Sequence, residues 1–329
     1  MSEPLATQGT LQAPDGGPTP LRRVLALLRR FDIYVVFVAL LLLCEAASPV
    51  FLSGNNVSNM LQQVAPLGIV VIGQAFVIIV RGLDLSVGSV MATAAVIATG
   101  FSGHDTDVMA IVLLSLLMGL ATGLANGVLV TKRSVSPFLA TLATWIVLEG
   151  FRYAYTHGAP SGNVPPWFRQ IGAGHAFGLP VNILLTAVLA VGFAALLHAG
   201  TFGRRVYLVG GNPVMARLVG VRVDTVTIIC YMISGLLAAV AGLVLSGFVG
   251  LVDNFVGRGF ELDSVVAAVL GGIPLSGGRG SIAGGLVGAA TLVLISNAVL
   301  LFGLPVQLQL IIKGAVIIAA AAIYVGRRQ

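Results

Sequence analysis

Ten apolar runs divide the chain: Ile33–Phe51, Val57–Val80, Val87–Gly103, Val108–Thr131, Pro137–Tyr155, Val181–Leu197, Val226–Val249, Val265–Leu275, Ser281–Gly303 and Gln307–Val325. Several carry 18 or more residues with almost no charge, the length a helix needs to cross about 30 Å of hydrocarbon. The eighth run is the exception. Its eleven residues would rise only about 16 Å, so it is either a broken span or a re-entrant half-helix. The pattern predicts an all-α, polytopic integral membrane protein of about ten transmembrane helices.

Composition agrees. Of 329 residues, 57% are hydrophobic and 9% charged, where a soluble chain carries about 25% charged residues. The sidedness of the basic residues sets an orientation. With the N-terminus inside, the cytoplasmic face receives Arg22, Arg23, Arg29, Arg30, Arg81, Lys132, Arg133, Arg204, Arg205, Arg217, Arg222, Arg279, Arg327 and Arg328; the outer face receives Arg152, Arg169 and Arg258. Fourteen against three satisfies the positive-inside rule, with both termini cytoplasmic. Lys313 falls within a span, where its stem can snorkel. The same distribution explains the net charge of +6 without nucleic acid, since the basic groups sit at span boundaries.

The first twenty residues are polar, with four prolines, and lack the apolar core of a secretory signal. Residues 1–30 read as a disordered cytoplasmic tail, with the membrane domain occupying 31–329. Cys44 and Cys230 lie inside spans and suit buried free thiols better than a disulfide. No G-x-x-x-x-G-K-[ST] loop is present, nor H-E-x-x-H, C-x-x-C or G-x-S-x-G. Nucleotide hydrolysis by a Walker loop and metal or acyl-transfer chemistry therefore have no support. "GRGSIA", Gly278–Ala283, matches a dinucleotide fingerprint but lacks its strand and its later acid.

"RGLDLSVGS", Arg81–Ser89, interrupts the apolar pattern. Non-helical backbone at membrane depth survives only where protein or a water-filled cavity surrounds it. Asp84 and Ser86 fall before the span at Val87, where backbone donors favour an acidic cap. The stretch is either a capped turn or an element of a gate or pathway. A partial echo, Gly272-Ile273-Pro274-Leu275-Ser276, aligns with Gly82-Leu83-Asp84-Leu85-Ser86; paired interruptions point to a transport site between internal repeats. Gln74, Ser89, Asn126, Glu149, Ser234, Ser276 and Asn297 either line a polar path or bond neighbouring helices. Glu149 and Arg152 are spaced to pair. Gly119, Gly123 and Gly127, and Gly280, Gly284 and Gly288, are spaced for close helix packing, within one bundle or between subunits.

The inner loop 198–225 holds "GGNPVMARLVGV". Gly210 and Gly211 suggest a turn, Asn212 a cap and Pro213 a first helical position. A short helix, roughly Pro213–Val219, would expose Met215 and Leu218 beside Arg217. It suits docking to another protein or lying on lipid.

"GLDLSVGS", "GGNPVMARLVGV", "GFELDSVVAAVLGG" and "LSGGRGSIAGGLVGA", in this order and spacing, resemble the permeases of ribose-, xylose- and arabinose-type ATP-binding-cassette (ABC) importers, from about residue 30 to the end. The resemblance implies that Gly211, Asn212, Pro213, Ala216, Arg217 and Gly220 form the loop that contacts a separate ATPase, which uses ATP and Mg; this chain needs no cofactor of its own. It also implies an extracytoplasmic sugar-binding protein, a second permease copy or paralogue, and a place in a bacterial inner membrane among lipid. Arg81, Arg258 and the single Asn297 depart from the family pattern and leave the cargo open among monosaccharides, small polyols, nucleosides, furanosyl signalling molecules and branched-chain amino acids. The rival class is a self-sufficient secondary transporter or channel, for which Asp84 and Glu149 are the available buried acids.

Overall fold

The computed structural model describes residues 32–159, 162–305 and 307–315. The expected tail 1–30, both termini and the far part of the tenth run lie outside the described residues. Helices α1 (Asp32–Ala47), α2 (Gly54–Ile79) and α3 (Val87–Thr99) are followed by α4 (Val108–Lys132) and α5 (Pro137–Thr156). A short helix α6 (Pro166–Ala173) and a two-residue hairpin, His175–Ala176 against Leu179–Pro180, lead into α7 (Val181–His198). Then come α8 (Thr201–Gly211), α9 (Pro213–Leu218), α10 (Val223–Val249), α11 (Phe260–Leu270) and α12 (Ile282–Leu301). The all-α class is the observed one.

Among the described residues, five segments are long and apolar enough to cross a membrane: Gly54–Ile79, Asp105–Lys132, Val181–His198, Val223–Val249 and Ile282–Leu301. Two shorter apolar helices, Ile33–Ala47 and Val87–Thr99, accompany them. The eighth run is displaced. Its helix starts at Phe260 and stops at Leu270, because Gly271-Gly272-Ile273-Pro274 belongs to a break and the polar "FELD" supplies the first turn.

α2 and α10 form the centre. In its most apolar window α2 is 89% buried and α10 72%, against 17% for α7, so α7 turns most of its surface outward. Pro66 inside α2 cannot donate to the carbonyl four residues earlier. Asn182 of α7 repairs this by donating Nδ2 to Gln62 O at 3.1 Å, and Thr186 Oγ1 donates to Ala65 O at 3.2 Å. In a dry interior each such carbonyl left bare costs several kcal/mol, roughly.

α4 crosses α10 on its glycine stripe. A Cβ at Gly119 would meet Gly235 O at 2.4 Å, and one at Gly123 would meet Tyr231 O at 2.2 Å. A Cβ at Gly284 or Gly288 of α12 would meet Gly271 O or Ala267 O, on the α11 side, at 2.2 and 2.0 Å. Both stripes pack helices within this chain. Lys313 does not snorkel: its Nζ pairs with Asp263 Oδ2 at 2.7 Å, because α11 presents a carboxylate at the same depth.

Gly123→Val is expected to lower the melting temperature in detergent, since an added branch must displace backbone at a cost of about 3 kcal/mol. Gly150→Val, where a Cβ meets nothing within 4 Å, is the control and should melt like the parent. Equal melting of the two variants would contradict the close crossing.

Candidate functional site

Two helix breaks meet the end of α8. α2 stops at Ile79, and the chain runs without helix through Val80–Ser86 before α3 begins. After α11 the segment Gly271–Ser281 is likewise non-helical before α12. The echo seen in the sequence is therefore a pair of breaks, and they touch: Gly278 N donates to Ile79 O at 2.9 Å.

α8 docks on this junction. Arg81 adopts a left-handed backbone, φ 67°, and its side chain reaches the C-terminal carbonyls of α8. Nε donates to Gly210 O at 2.6 Å and Nη2 donates to Gly211 O. A cation at that end also suits the helix dipole. Tyr207 of α8 donates its hydroxyl to Gly280 O at 2.7 Å, and burial raises its phenol above the ordinary value, so it stays a protonated donor. Gly210 and Gly211 are not a turn, as the sequence suggested, but the last helical residues of α8. Gly210 is there for close approach: a Cβ would meet Ile79 O at 1.8 Å and Gly278 N at 2.6 Å.

One residue later comes α9. Asn212 caps it, accepting from Val214 N at 3.0 Å and Met215 N at 3.1 Å, with Pro213 at its first position. Ala216 turns inward and is buried, while Gly220 takes a positive φ of 82° to leave the helix. Val214, Met215, Leu218 and Val219 are 56–75% exposed. Beneath them lies an apolar groove of about 220 Å³ lined by Tyr207, Leu208, Gly211, Asn212, Met215, Ala216 and Val219. Arg217 donates to Asp224 Oδ1 at 3.1 Å, and Lys132 holds the other oxygen at 2.6 Å. These exposed pairs contribute at most about 1 kcal/mol each; they hold α9 against the starts and ends of α10 and α4.

Above the junction a polar chain crosses the bundle. Asp84 is wholly buried. Its Oδ1 accepts from Ser86 N at 3.0 Å and Ser86 Oγ at 2.6 Å, and its Oδ2 accepts from Ser234 Oγ of α10 at 2.7 Å. Asn126 of α4 donates to Ser86 Oγ at 3.0 Å and accepts from Thr144 of α5 at 2.6 Å. Ser234 lies eleven residues into α10, about 17 Å along its axis. The carboxylate therefore stands well inside the bundle; it does not cap α3, whose N-cap is Ser86 without a side-chain bond, but ties the first break to α10.

The other sequence candidates separate from this chain. Asn297 exchanges amide hydrogen bonds with Asn56 at 2.9 and 3.0 Å, joining α12 to the start of α2. Ser276 lies half-buried in the second break. Gln74 is wholly buried in α2 with no hydrogen-bond partner for either polar atom. Ser89 faces α5, where its hydroxyl donates to Trp145 O at 2.9 Å. Arg152 turns to Ser89 rather than to Glu149: its Nη1 donates to Ser89 Oγ at 2.6 Å and Ser89 O at 3.0 Å. The sequence did not single out Tyr207 or Thr144 as site residues; neither stands in a motif.

A family model described as "Branched-chain amino acid transport system / permease component" matches residues 56–321. The chain belongs to this permease family. It is 36% identical to the ribose import permease protein of Bacillus subtilis over 283 residues, 85% of this chain and 88% of that one. It is 32% identical to the galactose/methyl galactoside import permease protein of Escherichia coli, covering 91% and 95%. The L-arabinose ABC transporter permease protein of Azospirillum brasilense is 31% identical, covering 97% and 95%. No solved structure matches the chain. As a permease component of an ABC importer the chain is a multi-pass inner-membrane protein and not itself an enzyme; it works with a separate ATPase subunit and a substrate-binding protein.

Arg81→Ala is expected to leave the protein folded and membrane-inserted, with importer ATPase activity within threefold of the parent, while uptake per ATP falls about tenfold or more. Arg81→Lys, a point charge without the two-pronged fork, should recover only part of the loss. Unchanged uptake per ATP in Arg81→Ala would contradict a mechanical role for this contact.

Proposed function

We propose that this chain carries a monosaccharide or similar small polyol across the membrane by alternating access. It works as a dimer, identical or paralogous, with the path at the subunit interface and lipid around it. ATP and Mg act in the partner ATPase, which docks on α9 through Val214, Met215, Leu218 and Arg217. The observation that carries this reading is the junction itself. An apolar, exposed helix built to meet another protein is tied within one residue to α8, and α8 is hydrogen-bonded to both helix breaks. A push on α9 is thereby delivered to the ends of α2 and α11 rather than dissipated in a loop.

The cargo assignment rests on the relatives, whose names specify ribose, galactose with methyl galactoside, and L-arabinose. No Walker loop is present in the chain, in keeping with an energy source outside it. A self-sufficient transporter would need a coupling-ion carboxylate free to take an ion or proton. Asp84 instead has three donors on it.

Uptake of labelled pentoses, hexoses, polyols, nucleosides and leucine, in cells with and without this gene, tests the cargo. Loss of one monosaccharide or polyol alone is expected; loss of leucine or a nucleoside instead would overturn the sugar reading. Arg217→Glu places a carboxylate beside Asp224 and the docking face. It is expected to reduce ATP-driven uptake at least tenfold with membrane insertion intact, and full-rate uptake would contradict docking at α9.

A further inference from the structure

A second polar constellation lies off the Asp84 chain, between α3, α5 and the segment 250–258. Its centre is a cavity of about 10 Å³ whose walls include Trp145, Glu149, Arg152, Asn254, Phe255 and Arg258. Arg152 is 4% exposed and Asn254 3%. Each is held by part of its side chain and free at the rest. Arg152 spends Nη1 on Ser89 and, at 3.3 Å, on Thr93, but its buried Nε has no partner. Asn254 Nδ2 donates to Thr156 Oγ1 at 3.0 Å and Gly158 O at 3.1 Å, but its buried Oδ1 has none. A buried polar atom left unpaired is unfavourable unless a ligand or water completes it.

We infer that this cavity is a cargo station that reads the hydroxyl groups of a neutral, polyhydroxylated solute, with Arg152 as donor, Asn254 as acceptor and Trp145 and Phe255 as apolar walls. The chemistry selects the class. A hydroxyl accepts one hydrogen bond and donates another, so one alcohol group satisfies a free N–H and a free carbonyl oxygen together. Arg258 also lines the cavity beside Arg152 and the half-buried Glu149, so an anionic solute would find cations to pair with, but as a pure acceptor it would leave Asn254 Oδ1 bare. An apolar solute would leave both atoms bare. The aromatic rings suit the C–H faces of a sugar ring. A cavity of this size holds about one water, so the station takes a sugar only in a state in which its walls have parted. The inference rests on the monosaccharide reading above and adds the residues that contact the cargo within the membrane.

The complete importer in proteoliposomes, with one and the same binding protein throughout, supplies the test. D-ribose, L-arabinose and D-galactose are the probes, each against its monodeoxy analogues. Because the binding protein is constant, a change in the ratio of sugar to deoxy-sugar uptake between variants belongs to the permease. Asn254→Ala and Arg152→Lys, which removes the Nε donor but keeps the charge, are each expected to lower uptake of the sugar about tenfold and that of one deoxy analogue less than threefold, with ATPase activity within twofold of the parent. Equal loss for every probe, or no loss, would overturn the station while leaving the sugar reading in place. If Asn254→Ala also loses ATPase activity, Arg152→Lys alone decides by the same criterion. If the parent importer carries none of the three sugars, the monosaccharide reading fails and the station falls with it.

Discussion

The structure turns on the hydrogen bond from Gly278 to Ile79 O and on the guanidinium of Arg81 that completes the same junction. α2 ends inside the protein at the buried Ile79, whose carbonyl is left over where the helix stops. The breaks solve this by using one another and the C-terminus of α8 as partners. Because the carbonyls of Gly210 and Gly211 are also the last of α8, the device that satisfies the backbone fastens the segment leading into α9. Satisfying buried backbone and fastening α8 to both breaks are here one piece of geometry.

The polar chain above the junction works differently. Asp84, Ser86, Ser234, Asn126 and Thr144 satisfy one another across four helices, and removing a member strands its neighbour in a dry interior. That makes it a device for fixing how α3, α4, α5 and α10 sit together. The cavity at Arg152 and Asn254 is the reverse case. Its polar atoms are held in place by neighbours yet incompletely paired, the arrangement expected where a solute supplies the missing bonds.

Much of this was legible in the sequence. Long apolar runs gave the helices because crossing hydrocarbon demands length and purity of composition, and Asn212-Pro213 gave α9 because a cap and a fixed φ act locally. The break at "RGLDLSVGS" was visible because charge and glycine have no place in a continued apolar helix. What stayed hidden depends on contacts between distant residues. Gly210 reads as a turn from its own chemistry, yet it serves close approach to Ile79. Arg152 looked like a partner for Glu149 at helical spacing, but Ser89 of α3 occupies it. Lys313 looked free to snorkel until α11 placed Asp263 beside it. Hydropathy also misplaced the eighth run by five residues, since apolar Ile273 and Leu275 count toward a span whether or not Gly272 and Pro274 allow a helix.

If the junction works as described, α9 and the two breaks move as one body. Spin labels at Val219→Cys, at the end of α9 and outside the proposed docking residues, and Leu275→Cys in the second break, both exposed positions, report on it with little background from the buried Cys44 and Cys230. Their separation, measured by pulsed electron paramagnetic resonance in the complete importer, should stay within about 2 Å between nucleotide-free and ATP-bound states. Over the same change the distance from Val219→Cys to its counterpart in the second permease should shift by several ångströms, on the scale of rigid-body transitions. A large change in the Val219–Leu275 distance, with the breaks fixed, would mean that α9 moves alone and that the junction does not couple it to the breaks.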